Sequence, residues 1–166
     1  AACDLSICLS KNLRLTGCCP YDPENMTKKQ YVDFSMVMKP YIHPRMGGVA
    51  ELSLFTYGYG KYLNDRGYDV TFDLCPGEKS FEEAEIFLKN ALKKNLPVPF
   101  LLLRHRDKSL KDLNWHWFMI TGCDVRNERS ILKYHTYGEE QEVDFQQLWS
   151  TGMYRRGGMA AIKAIR

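Results

Sequence analysis

LKKNLPVPFLLLR, residues 92–104, is where the chain changes its period. Just upstream lies SFEEAEIFLKNALKK, 80–94, which opens with Ser80 and Glu83 in the spacing of a capping box. There the serine hydroxyl satisfies an orphan N–H of the first turn and the glutamate carboxylate satisfies the serine N–H. Phe81, Ala84, Leu88, Ala91 and Leu92 recur along one stripe, so this helix has a face to bury. From residue 97 the helical spacing disappears. VPFLLLR (98–104), NWHWFMITG (114–122), SILKYHT (130–136), EQEVDF (140–145) and GGMAAIKAI (157–165) are short and rich in strand-forming residues. DVRNER (124–129) and YGEE (137–140) supply turn signals between them, and short strands joined this way pair antiparallel.

Working outward to the N-terminus, helical spacing returns. Residues 2–13 bring Leu5, Cys8, Leu9 and Leu13 to one face, and Gly17 closes the segment. Residues 27–38 repeat the pattern with Tyr31, Phe34, Val37 and Met38, and Pro40 is expected to stop it. HPRMGG, 43–48, is a loop; the next helix, 49–65, carries Leu52, Phe55, Tyr59, Tyr62 and Leu63 and ends before Gly67. Gly58 and Gly60 each cost that helix about 1 kcal/mol relative to alanine, so close packing or a bend is expected there. YDVTFDL, 68–74, alternates as a strand does. Helices therefore come first and the sheet later, which places the chain in the α+β class, with N-terminal helices packed on a C-terminal antiparallel sheet.

With 166 residues, 45% hydrophobic and 26% charged, the chain fits a single domain over 1–166; halves of it would each be poorly buried. The net charge of +3 is spread as pairs such as Lys28–Lys29, Lys93–Lys94 and Arg155–Arg156 among acids, as on a solvated face. RHRDK at 104–108 is broken by Asp107 and has no aromatic stacking platform, so no nucleic-acid partner is expected. No apolar run approaches the roughly 20 residues that span a bilayer. The oligomeric state cannot be read. The six cysteines, at 3, 8, 18, 19, 75 and 123, form no CxxC pair and no zinc spacing; neither a metal nor a cofactor is expected. They leave the redox compartment open.

The chemistry rests on His116, an ionisable ring between Trp115 and Trp117 on an apolar strand. Alone it reads as a core histidine satisfied by backbone or water. As a base it needs an orienting partner for one ring nitrogen and a nucleophile near the other. The strand 130–136 offers Tyr134, His135 or Thr136 as the partner, and a thiol at a helix start, such as Cys3, is the electrostatically favoured nucleophile. His43 and His105 lie in loops and read as solvated, and MGG at 46–48 lacks the lysine and serine of a phosphate loop. Trp115, Trp117 and Trp149 line a peptide cleft or pack the core.

KYLNDRGY (61–68), HWFMITG (116–122), HTYGEEQEVDFQQLW (135–149) and AACDL (1–5) occur in the order of corresponding motifs in the C39-like branch of the bacterial papain-like cysteine peptidases, and the chain resembles that family over nearly its whole length. The resemblance implies a papain-like fold, a hydrolase acting on peptide or protein substrates, and a secreted or cell-surface setting. It makes His116 the general base and puts Thr136 or His135 where the family has an orienting aspartate or asparagine. Aligning AACDL with the family's AATNL places the nucleophilic cysteine upstream of Ala1, so that the chain starts inside the family's first helix; aligning Cys3 with that cysteine is the other register. The departures at both positions also admit a non-catalytic relative that keeps the groove and binds a peptide or protein partner.

Overall fold

The computed structural model describes every residue except Gly47 and Arg155, so the MGG stretch and the Arg155–Arg156 pair lie partly outside the described residues. The helices are α1 (Ala2–Asn12), α2 (Lys28–Ile42), α3 (Leu52–Asn64), α4 (Phe81–Leu92) and α5 (Phe145–Trp149), with a 3₁₀ segment at Lys108–Leu113. The strands are β1 (Val70–Pro76), β2 (Val98–Leu102), β3 (His116–Arg126), β4 (Arg129–Thr136), β5 (Glu139–Asp144) and β6 (Gly157–Ile165). All six join one antiparallel sheet in the order β1-β6-β2-β3-β4-β5. The class is α+β, and β1 enters the sheet from the helical half of the sequence.

Side chains alternate across this sheet, and each face is buried under its own helices. On one face, Met119 and Ile162 join Leu5 and Leu9 of α1, Phe34 of α2 and Phe55, Tyr59, Tyr62 of α3 in a single apolar cluster. On the other, Phe100, Phe118, Ile120 and Leu132 pack with Ala84 and Leu88 of α4 and Phe145, Leu148 of α5. Gly58 shows why α3 tolerates glycine: a Cβ there would run into the carbonyl of Tyr41, so α2 and α3 approach backbone to backbone.

Two local expectations are corrected. Pro40 lies inside α2, which runs on to Ile42 and ends at His43 in a left-handed cap (φ 49°) whose N–H donates to Lys39 O at 2.9 Å. The proline forfeits one i→i−4 hydrogen bond and crowds the carbonyl of Met36 upstream, yet the helix continues past it for two residues. The strand placed at 140–145 ends at Asp144, whose carboxylate accepts from Gln147 N at 3.0 Å and caps α5. The 3₁₀ segment, also unforeseen, is capped in the same way by Asp107, which accepts from Ser109 N at 2.9 Å.

Candidate functional site

His116 is the first residue of β3 and pairs with Leu102 of β2. The loop before it is pinned at two points: Asn114 Oδ1 accepts from His105 N–H at 2.7 Å, and Trp115 N–H donates to Leu103 O at 3.1 Å. Trp115 itself sits at φ 57°, a conformation unfavourable for an aromatic L-residue. Strand parity then settles direction. His116 and Phe118 share one face of β3, Tyr134 and Thr136 the same face of β4, while His135 points the other way to Glu140 (3.0 Å). Thr136 is buried, and its Oγ1 lies 2.6 Å from His116 Nε2. Of the partners the sequence left open, Thr136 is therefore the one in contact with the ring. No other hydrogen bond to the ring is formed among the described residues, so Nδ1 has no partner.

Tyr137 covers the pair. Its ring stacks on the imidazole at 4.6 Å between centroids and 13° between planes, and it too has a positive φ (52°). Two aromatic residues in the left-handed region thus flank the His116–Thr136 bond, and such strain persists only where its surroundings enforce it. Sequence reasoning passed over Tyr137; its place next to Thr136 in the YG turn was the only available signal.

The imidazole is half-buried, and its pKa is held below the ordinary 6.5, first by burial and then by the α-ammonium of Ala1. The start of α1 is therefore within electrostatic reach of the ring. The ring is neutral at neutral pH, the form a base requires. Cys3 is close to that helix start in sequence but differs in environment: it is buried in the helical core, and burial pushes its thiol up to about 12 against the opposing pull of the ammonium. Burial likewise raises the thiols of Cys8, Cys18, Cys19, Cys75 and Cys123, and all six cysteines are free. His105 is fully used by the scaffold, with Nδ1 accepting from Asp107 N–H at 2.9 Å and Nε2 donating to Gln147 O at 2.8 Å. Among the described residues no three His, Cys, Asp or Glu side chains gather as a metal site. No helix is long and apolar enough to cross a membrane.

A cavity of about 240 Å³ opens beside His116, walled by Trp115, Trp117, Leu101, Leu103 and the segment Gly48–Ala50. Trp117 secures that segment by donating from Nε1 to Val49 O at 2.7 Å while its ring stacks on Phe55 at 4.4 Å. A second cavity of about 380 Å³ lies behind the bond, against Thr136, Tyr137, Asp112 and Gln141. No protein-family model, no curated protein and no solved structure matches the chain. The site's chemistry is therefore argued from its geometry. A neutral imidazole, held at Nε2 by Thr136 and without a partner at Nδ1 among the described residues, can accept a proton, and His116 is among the residues that line the 240 Å³ cavity.

Proposed function

We propose that the chain is a papain-like, C39-like domain that takes a peptide into the cavity beside His116, with His116 as general base for a sulfur nucleophile at the start of α1. The observation that carries this is the His116 Nε2 to Thr136 Oγ1 bond of 2.6 Å, which leaves Nδ1 open. In the tautomer that makes Nδ1 basic, Nε2–H donates to the threonine hydroxyl. Nδ1 then takes the thiol proton, the thiolate attacks the amide carbonyl carbon, and the imidazolium returns the proton to the departing amine as the C–N bond breaks. Water next hydrolyses the thioester with the same ring as base. Threonine orients the ring without supplying the anion that an aspartate would, so the imidazolium is less stabilised than in an aspartate triad.

A second reading, binding without cleavage, is favoured by Cys3. Its thiol, pushed up to about 12, holds almost no thiolate at neutral pH, and the thiolate is the nucleophile. A peptide bearing a thiol-reactive warhead separates the two readings. Labelling at a single cysteine that is lost in His116→Ala supports the peptidase. Labelling that is indifferent to His116, or none at all, supports the binder.

A further inference from the structure

The cavity at His116 does not end there. Ala50, Leu101 and Leu103 also wall a larger cavity of about 530 Å³ that continues over Leu74 and Pro76 to Glu51, Glu78 and Arg156. We infer that these two adjoining cavities form one groove that receives an extended peptide, with an apolar residue against Trp115 and Trp117 at the His116 end and a basic residue three to four positions away, held between Glu51 and Glu78. The inference rests on the proposed peptide-binding reading and adds the class of peptide.

The spacing follows from sheet register. Trp117 pairs with Leu101, Leu101 with Gly158, and Gly158 with Pro76, so one row crosses four adjacent strands from the His116 end to the Glu78 end. Strands lie about 4.8 Å apart, which makes that crossing roughly 14 Å, and an extended chain advances about 3.3 Å per residue, so about four residues cover it. The floor is kept clear by two glycines. Gly157 and Gly158 have φ of 91° and 137°, and a Cβ on either would collide with the carbonyl of Leu101 or of Cys75. Any other residue there would either part β6 from its neighbours or raise a side chain out of the floor.

The far end has a defined charge. Glu51 and Glu78 are exposed, and neither forms an ion pair among the described residues. Arg156, the one cation among the described residues lining this end, is anchored to the wall: its Nε donates to Met153 O at 2.9 Å and its Nη1 to Gly77 O at 3.4 Å. Among the described residues that line this end, two carboxylates therefore stand with one anchored guanidinium. The near end, by contrast, is lined by Val49, Leu101, Leu103, Trp115 and Trp117, which suit an apolar side chain.

The test is a lysine scan along short, blocked, fluorescently labelled peptides that are otherwise neutral and contain one leucine, read by anisotropy on the whole chain. Binding is expected to peak, at about tenfold over the glutamine-matched peptide in low salt, when lysine is three or four residues from leucine, and to weaken as salt is raised. The double variant Glu51→Gln/Glu78→Gln should abolish the preference, and Glu51→Lys/Glu78→Lys should transfer it to the glutamate-matched peptide. Circular dichroism confirms that both exposed-site variants are folded. Binding with no lysine preference, or a preference that survives neutralisation, overturns the inference. No binding by any peptide overturns both the inference and the peptide-binding reading. An intact preference in His116→Ala, together with absent warhead labelling in the parent chain, upholds the groove and removes only the catalysis.

Discussion

At the residue scale, the histidine between two tryptophans has its base strength set by its surroundings. Burial and the α-ammonium of Ala1 both favour the neutral ring, and Thr136, its only hydrogen-bonded partner among the described residues, is uncharged. Installing a carboxylate reverses the balance. In Thr136→Asp the His116 pKa is expected to rise by about 1 unit or more over the parent, because an adjacent anion stabilises the imidazolium; an NMR pH titration of the ring reads it directly, and an unchanged or lower value would contradict the geometry. The same shift links to stability. Because the folded pKa lies below 6.5, the unfolded chain takes up the proton first as pH falls. The ring's contribution is thus complete above 6.5 and is lost as pH drops from there to the folded pKa. Denaturant unfolding at stepped pH should show that loss in the parent and a shallower acid-side slope in His116→Gln. Antiparallel neighbouring strands made the pairing of His116 with the 130–136 strand legible in sequence. Two features were not legible there. The choice of Thr136 over His135 depends on the register shift between Ile120 and Gly122, and Cys3's inward orientation depends on where α1 rests.

At the scale of elements, α4 starts where its capping signature placed it. Ser80 and Glu83 form the reciprocal bonds of a capping box at α4, with Glu83 N donating to Ser80 Oγ at 3.2 Å and Ser80 N to Glu83 Oε2 at 3.1 Å. Ser80→Ala should cost about 1 kcal/mol in thermal or denaturant unfolding, and a loss near zero would mean that packing alone holds α4. Elements shorter than two turns were missed because periodicity needs length. The five residues of α5 and the six of the 3₁₀ segment are specified by one capping aspartate each, Asp144 and Asp107, and by burial of Leu148 and Leu110. Pro40 misled because proline's cost is one lost i→i−4 bond and one crowded upstream carbonyl, which α2 bears without ending there. β6 depends on a feature that sequence patterning cannot rank. Gly157 holds a left-handed φ where it passes Leu101, so Gly157→Ala should destabilise by about 1–3 kcal/mol, well beyond an ordinary surface substitution.

At the scale of the molecule, one sheet forms the wall of two cores, and a single folding unit is the expected consequence despite the separate apolar clusters. Residues one apart in β3 serve opposite sides: Phe118 packs under α4 and α5, and Met119 under α1, α2 and α3. Neither cluster can lose its helices without exposing a strand that the other needs. The chain carries its own reporters, since Trp149 lies in the cluster beneath α5 while Trp117 stacks on Phe55 of α3 on the other side. Single-tryptophan chains retaining Trp117 or Trp149, with the other tryptophans replaced by phenylalanine, should therefore unfold in urea at one shared midpoint that also matches far-ultraviolet circular dichroism. A cavity on either side should move both reporters together. Phe34→Ala in the helical cluster should cost about 3–5 kcal/mol and Leu88→Ala beneath α4 about 2–5 kcal/mol, each lowering both midpoints equally. Were Phe34→Ala to shift the Trp117 transition and leave that of Trp149 in place, the two faces would be independent folding units. In that case the groove at the end of the shared sheet would lose its rigid support.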